Sequence, residues 1–237
     1  MGCRAFLALS FLYTWAQGNY RPFIIGYGGF FPYGAWGQRR LPFPQNGYAR
    51  LGHGLYGAKY YYTRSRTRAW FVFLELGQWG VHTAGIIQSL LPPGESLSPD
   101  FRPPYRMLYS TAGGGGLTWR FILSPHFWLS VGADLRIAHV SYPTWLITLL
   151  NNRQMEINIE SNSFIGGSLS VEGWVPLYPN KNSYALGMGL SFPQVWGAPA
   201  YYTTRLRDAT GDKENIRRSY YIRPLFGVGR LMFSFTL

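Results

Sequence analysis

His139 and Ser141 are the residues of this chain whose types and spacing best suit covalent chemistry. They stand two positions apart in a segment that alternates apolar and polar residues, so they share one face of a strand. There the histidine could act as general base for a serine nucleophile, with a carboxylate to orient the imidazole. The next carboxylates, Glu156 and Glu160, fall on the wrong face of the following strand unless a β-bulge reverses it. We therefore expect no enzyme, and keep hydrolysis as the alternative.

The other residues that could bind a metal, a phosphate group or a nucleic acid form no recognisable motif. The four histidines lie on different predicted strands, without the spacing of metal ligands: His53, His82, His126 and His139. Gly113–Gly116 lack the strand–loop–helix context of a phosphate-binding loop. No nucleic-acid motif accompanies the net charge of +12, which instead suggests contact with anionic lipid head groups or other polyanions. We expect neither a metal nor a cofactor, and no nucleic-acid partner.

The element that must position His139 is a β-hairpin spanning residues 113–142, whose arms alternate with period two around a break at 124–126. One face of it is almost wholly apolar, and the other carries small residues together with charges such as Arg120 and Asp134. A soluble sandwich would bury the apolar face against a second sheet. A transmembrane barrel would turn that face toward lipid and keep the charges in a polar lumen.

The first sixteen residues have the form of a secretory signal peptide. Arg4 supplies the positive region, residues 5–13 the apolar region, and Thr14-Trp15-Ala16 a cleavage site before Gln17. We predict a signal peptide at 1–16 and one barrel domain at 17–237, located in the outer membrane of a Gram-negative cell. The alternative for the first residues is a short core segment. The chain contains no uncharged apolar run of about 18 residues, so a helical membrane protein is not expected.

Loop lengths favour the membrane barrel. About eight segments are long enough to cross a bilayer as tilted strands, which need roughly 9–11 residues each. The connections between them alternate in length, long at 32–47, 83–104, 143–161 and 193–218, and short at 63–67, 124–126 and 176–182. Short periplasmic turns and long external loops are typical of outer-membrane barrels. The predicted fold is therefore all-β, an antiparallel up-and-down transmembrane barrel of about eight strands.

Seven charged residues fall on the predicted inner faces of these strands: Lys59, Glu75, Arg120, Asp134, Arg136, Glu172 and Arg230. An eight-stranded barrel is only wide enough for side chains to fill its interior. Since buried charges are tolerable only when paired, we expect four cations and three anions to form a network that plugs the lumen. Alternatively, some of them lie at the rims and are solvated. Either arrangement argues against a wide pore.

Two of the long connections could bind a partner. Residues 144–160 have apolar arms around Asn151-Asn152, a turn-favouring pair, so we predict that strands five and six of the barrel extend beyond the membrane here as a hairpin. A lid helix over 145–150 is the alternative. The last connection carries charges of both signs and is expected to be solvated: Arg205, Arg207, Asp208, Asp212, Lys213, Glu214, Arg217 and Arg218.

On these features the chain resembles the small outer-membrane β-barrel family typified by the transmembrane domain of OmpA, often labelled porin-family β-barrels. The features are the signal peptide ending at Ala16-Gln17, the 113–142 hairpin and the alternating terminal strand of Leu231, Phe233, Phe235 and Leu237. Family members end in a terminal aromatic residue that the barrel-assembly machinery reads, whereas this chain ends in Leu237 with Phe235 behind it. His139 and Ser141 also look like the His-x-Ser element of PagL-type lipid A deacylases, although Tyr142-Pro143 follows here in place of Asn.

The function expected from the sequence is non-catalytic. The barrel would serve as a membrane anchor, a loop scaffold or an accessory subunit of an envelope complex, in contact with outer-membrane lipid and lipopolysaccharide. The alternative is a PagL-like hydrolase that uses His139 and Ser141 on the outer wall. A soluble ligand-binding barrel is a third possibility, but it would need an apolar interior and a polar exterior, and the charged predicted inner faces argue against it.

Overall fold

The computed structural model describes residues 21–103, 107–150, 153–178, 181–207, 213–220 and 224–236. The predicted signal peptide, Asn151-Asn152, Asp208, Asp212 and Leu237 lie outside the described residues. The elements in chain order are β1 (Phe23–Pro32), α1 (Gly34–Gly37), β2 (Ala49–Tyr62), β3 (Arg68–Val81), α2 (Thr83–Leu90), β4 (Met107–Ser124), β5 (Phe127–Ser141), β6 (Trp145–Thr148), β7 (Gln154–Ile159), β8 (Asn162–Tyr178), β9 (Lys181–Gly197), β10 (Ala200–Arg207), β11 (Lys213–Tyr220) and β12 (Phe226–Phe235).

Eight of the strands close into an antiparallel barrel with the order β1-β12-β9-β8-β5-β4-β3-β2. Closure is made by β1 and β12, which pair from Phe23↔Phe235 to Pro32↔Phe226. Each barrel strand therefore has a neighbour on both sides, and no backbone edge of the barrel is left open. The predicted eight-stranded up-and-down barrel is confirmed.

The connections sort by length between the two ends of the barrel, as predicted. At the short-turn end, brief turns join β2 to β3, β4 to β5 and β8 to β9. β8 and β9 pair further toward this end than expected, since Tyr178 pairs with Lys181. At the long-loop end the connections contain α1, α2 and four further strands. Among the described residues no helix is long and apolar enough to cross a membrane.

The four further strands form a second sheet with the order β11-β10-β7-β6. A hairpin is present in 144–160, with β6 paired to β7 from Trp145↔Ile157 to Thr148↔Gln154, but the prediction that it extends the barrel strands is wrong. The alternative prediction of a lid helix over 145–150 is wrong, because residues 145–148 form a strand. This hairpin does not continue the barrel wall but belongs to the separate sheet. The connection after β9 was expected to be a solvated loop, but it forms the paired strands β10 and β11. This connection also begins later than predicted, because β9 continues to Gly197.

Alternation with period two gives the barrel wall two different faces. Every barrel strand contributes large apolar side chains to the outer face, where Leu135 is 75% exposed and Leu169 and Met188 are each 68% exposed. The inner positions are buried, and they include both aromatic residues and charges. The core of this barrel is its lumen.

Candidate functional site: the barrel lumen and the surface above it

Two arginines and two carboxylates meet in the middle of the lumen. Arg136 donates from Nε and Nη2 to the two carboxylate oxygens of Asp134, at 2.8 and 2.9 Å. Its Nη1 lies 3.8 Å from Oε1 of Glu75, whose other oxygen pairs with Arg230. Arg230 also donates from Nη1 to Ser191 Oγ at 3.1 Å. The network joins β3, β5, β9 and β12, and its two cations offset its two anions.

Aromatic faces complete the surroundings of this network. The guanidinium carbon of Arg230 lies 4.4 Å from the ring centre of Tyr56, and that of Arg136 lies 5.0 Å from the ring centre of Phe73. Attraction between a cation and the face of an aromatic ring is strongest where water is excluded, as it is here. The sequence interpretation missed these aromatic partners, although Phe73 lies two positions from Glu75 and therefore shares its face.

A second polar layer lies nearer the short-turn end. Glu172 accepts hydrogen bonds from the Tyr60 hydroxyl at 3.4 Å and from Trp174 Nε1 at 3.0 Å. Arg120 is sandwiched by rings, with its guanidinium carbon 4.1 Å from Tyr62 and 4.5 Å from Trp128. Ring donors and ring faces thus surround both buried charges, within a cluster of buried aromatic side chains.

Six of the seven predicted lumen charges lie on the inner face: Glu75, Arg120, Asp134, Arg136, Glu172 and Arg230. Lys59 does not, and its predicted place in the lumen is wrong. It pairs with Phe23 and Val72, which both lie on the outer wall, and its ammonium is 4.6 Å from the Phe23 ring. The reason is that β2 carries tyrosines on its inner face, so its two faces do not differ in polarity as those of β5 do.

Apolar side chains from the loops close the long-loop end. Trp36 of α1 and Ile86 and Ile87 of α2 are buried in one cluster with lumen residues such as Trp79 and Phe226. Trp36 meets Trp79 edge to face at 6.3 Å, and Trp79 meets Phe226 in the same way at 4.7 Å. Sequence reasoning missed this cap. The signal was the apolar run Ala84–Ile87 in a connection that a solvated loop would have kept polar.

The second sheet extends this cap. Its inward face belongs to the same buried cluster through Trp145, Ile147, Met155, Ile157 and Tyr202. The outward face is exposed and basic, with Arg205, Arg207 and Arg217 on neighbouring strands. Arg217 donates to Glu160 at 3.1 Å and lies 4.2 Å from the Tyr201 ring. The sheet therefore presents a polar surface while its other face closes the barrel.

His139 projects from the outer wall near the long-loop end, and its closest serine partner is not the one that the sequence suggested. Its Nδ1 lies 3.0 Å from Oγ of Ser163, directly opposite on β8. Ser141 pairs with Tyr109 on β4 instead. Neither of the two carboxylates that could have oriented His139 is shown in contact with it. Glu160 accepts a hydrogen bond from Arg217, and Glu156 lies opposite Arg205 in the register of the second sheet. Among the described residues, no three His, Cys, Asp or Glu side chains are placed to hold a metal.

The predicted terminal assembly strand is β12. Leu231, Phe233 and Phe235 alternate on its outer face, and Leu231 is 66% exposed. Phe235 stacks on Phe23 at 5.8 Å and Phe233 on Tyr184 at 6.1 Å, so rings continue around the short-turn end across the closing seam.

The exposed apolar side chains form a belt around the whole wall, with members on all eight barrel strands. Soluble proteins rarely expose apolar patches larger than a few hundred Å². A belt outside a closed barrel with buried charges inside is the arrangement that a lipid bilayer requires. The protein is a transmembrane β-barrel.

No protein-family model matches the chain, and no curated protein matches it. Among solved structures, the barrel is similar to a major outer membrane protein from Thermus thermophilus, with 13% identity and a TM-score of 0.48 over 92% of this chain and 99% of that one. It is also similar to the TodX deltaS2S3 mutant monoaromatic hydrocarbon channel, with 7% identity and a TM-score of 0.43 over 87% of this chain and 55% of that one. Likenesses at this level carry no argument about activity.

The geometry of the barrel interior limits what the lumen can do. Paired charges occupy its middle, rings fill it toward the short turns, and an apolar cap covers the other mouth. An eight-stranded barrel has room for little more than its own side chains. In the part of the chain that the structure describes, the outer wall, the short-turn rim and the outward face of the second sheet remain exposed for recognition.

Proposed function

We propose that this chain is a non-catalytic outer-membrane β-barrel that holds a rigid β-sheet platform at the cell surface, as a loop scaffold or an accessory subunit of an envelope complex. The observation that carries the proposal is the packing of the second sheet. One of its faces is buried in the apolar cap of the lumen, and the other is exposed. A sheet held this way is a firm surface for binding, whereas a mobile loop would lose entropy on association.

The filled lumen supports a role that does not depend on transport. Removing the partners of Glu75 or Arg136 to open a passage would leave a buried charge uncompensated, which is costly. The interior therefore resists rearrangement into a wide pore. We infer that the paired interior keeps the barrel rigid.

The outer membrane is the location in which such a barrel is expected, because single-chain barrels of this architecture belong to it. The predicted signal peptide, the OmpA-type resemblance and reading of β12 by the barrel-assembly machinery are parts of the same proposal. So is contact of the outer wall with outer-membrane lipid and lipopolysaccharide. In this setting the short-turn end is periplasmic and the second sheet is external.

Epitope insertion tests the orientation. A tag placed between β6 and β7 should bind antibody on intact cells, and the same tag between β8 and β9 should bind only after the outer membrane is permeabilised. Both insertions lie between consecutive strands that pair with each other, so each controls for the effect of insertion on folding. Surface labelling of the β8–β9 tag, but not of the other, would contradict the proposal.

Reconstitution tests the closed lumen. Vesicles that carry the purified barrel should not swell in isotonic sugar, while vesicles with a general porin should. Mild-detergent purification then tests the platform. A partner that co-purifies with the full chain should be lost when β10 and β11 are replaced by a short turn, provided that the variant still migrates as a folded barrel. Sugar permeation, or a partner retained without the sheet, would count against this function.

The second candidate function is hydrolysis of a lipid at the outer wall. The observation that favours it is the 3.0 Å contact between His139 and Ser163, a base and a hydroxyl exposed on the lipid-facing side. Mass spectra of lipid A should be the same in cells expressing the parent protein, His139→Ala and Ser163→Ala if the protein is non-catalytic. Loss of a modified species in both variants would favour the hydrolase, and Ser141→Ala should then have no effect.

A further inference from the structure

The turn between β2 and β3 alternates hydroxyl and guanidinium side chains through Thr63-Arg64-Ser65-Arg66-Thr67-Arg68. All five residues from Arg64 to Arg68 are exposed. The three hydroxyl groups hydrogen-bond in a row, with Thr63 Oγ1 and Ser65 Oγ 3.1 Å apart and Ser65 Oγ and Thr67 Oγ1 2.8 Å apart. The turn thus concentrates cations and hydroxyl groups, which are the chemistry that phosphate oxygens prefer.

Main-chain hydrogen bonds hold this turn in place. The Thr63 amide donates to the Arg68 carbonyl at 2.8 Å, and the Arg66 amide donates to the Thr63 carbonyl at 2.8 Å. Arg66 has a φ of +59°, in the left-handed region where Gly or Asn is usual. The chain therefore places an arginine where glycine, which lacks a Cβ, would be less strained. The turn is a defined frame for its cations.

One cation of the turn, Arg68, and one from the neighbouring strand, Lys59, lie on the outer wall. Arg68 pairs with Trp119, and Lys59 lies over the rings of Phe23 and Tyr61 at 4.6 and 5.5 Å. Tyr61 in turn stacks on Trp70, with ring centres 3.9 Å apart. Aromatic rings of this kind favour the level of the lipid head groups. The rings and the cations therefore mark one level at the periplasmic rim.

This rim gains no compensating negative charge from nearby chain. Residues 1–74 contain no Asp or Glu, and neither do 117–133, 173–207 or 231–236, which together supply the described residues of the short-turn end. Glu172 borders this end on the lumen side, but it is buried and accepts from Tyr60 and Trp174. The field at the rim is therefore positive.

We propose that the periplasmic rim formed by Arg64, Arg66 and Arg68, flanked by Lys59, is a binding site for the head groups of anionic phospholipids in the periplasmic leaflet. Lys59 is the reason to name a lipid rather than a soluble anion. Its strand places it on the lipid-facing wall, where an ammonium is tolerated only if it extends to the head-group level. Lipid phosphate would then lie between Lys59 and the arginines of the turn.

Competitive lipid binding tests the proposal. The full barrel in detergent is offered phosphatidylglycerol and phosphatidylcholine of equal chain length, and bound lipid is counted by native mass spectrometry. The parent protein should prefer phosphatidylglycerol at least fivefold. The triple variant R64Q/R66Q/R68Q should lose most of this preference, since each cation near an anionic surface contributes about fivefold. The triple Lys variant at the same positions should retain it.

The matched control is R205Q/R207Q/R217Q, which removes the same charge from the external sheet and should leave the preference unchanged. Heat-dependent gel migration checks that each variant is folded, and comparison of Arg66→Gly with Arg66→Gln separates relief of the left-handed backbone from loss of charge. The proposal is overturned if the parent shows no preference, if R64Q/R66Q/R68Q keeps it, or if the external control loses it equally. The first outcome would point instead to an acidic periplasmic protein as the partner of the rim.

Discussion

Glu75 on β3 and Arg230 on β12 form a buried ion pair across the lumen, although 155 positions separate them in the chain. Two other strands, β1 and β2, lie between theirs in the barrel order. The same carboxylate also faces Arg136 on β5. One side chain thus couples three strands that are not neighbours, and its contribution to stability should be large.

Replacing Glu75 with Gln should lower the free energy of unfolding by about 3–5 kcal/mol, because Arg230 and Arg136 would stay buried without their shared anion. Denaturant unfolding in lipid vesicles measures the effect. The control is Glu160→Gln, which breaks the exposed pair with Arg217 and should cost about 1 kcal/mol or less. Equal losses in the two variants would show that the lumen network adds nothing to stability.

The lipid-facing wall can be tested with two leucines of similar exposure. Leu135 lies in the middle of β5 and is 75% exposed, and Leu146 lies on the second sheet and is 66% exposed. Leu135→Arg should destabilise the barrel in vesicles by about 2–4 kcal/mol, because the charge would enter the hydrocarbon layer. Leu146→Arg should be nearly neutral, because its surroundings are water. A tolerated arginine at position 135 would contradict the membrane belt.

Two adjacent glycines on β4 should respond differently to a methyl group. A Cβ at Gly114 would collide with the carbonyl oxygen of Leu135, whereas a Cβ at Gly113 would meet the Phe73 carbonyl oxygen at an ordinary 3.6 Å. Gly114→Ala should therefore cost about 1–3 kcal/mol through overpacking, and Gly113→Ala should cost less. Unfolding in vesicles gives both values, and the reverse order would rule out the close approach of β4 and β5.

His82 should make the loop helix α2 sensitive to acid. Its Nδ1 accepts from the Gly85 amide at 3.2 Å, and partial burial, with help from Arg50 and Arg39, lowers the pKa of His82 below its ordinary value. Because His82 binds a proton more readily in the unfolded chain, neutral His82 favours the folded state. Its contribution to the free energy of unfolding is complete above about pH 6.5 and decreases as the pH falls below that value. Protonated Nδ1 also cannot accept from Gly85.

Hydrogen exchange of the Gly85 amide between pH 7.5 and pH 5 measures this effect, after correction for the intrinsic pH dependence of exchange. Asn caps helices well and does not titrate in this range, so His82→Asn should show a smaller loss of protection on acidification than the parent protein. Identical pH profiles in the two proteins would exclude His82 as the cause.

Parity along the strands predicted the faces of the barrel well where one face was uniformly apolar. On β5 the apolar positions are outside, and Asp134 and Arg136 are inside, as alternation indicated. On β2 the same method misplaced Lys59, because tyrosines fill the inner face and the polarity of the two faces is similar. Alternation identifies two faces, but only a difference in chemistry between them shows which one meets lipid.

The sequence by itself determined the eight barrel strands, their short and long connections and hence the antiparallel barrel, because these depend on local periodicity and chain length. The tertiary structure alone decided that His139 meets Ser163 rather than Ser141, that Trp36 and α2 cap the lumen, and that β10 and β11 join β6 and β7 in a second sheet. These contacts depend on strand register and on loops that close over the barrel mouth. Both are consequences of burying apolar surface between segments far apart in the chain, which no local pattern records.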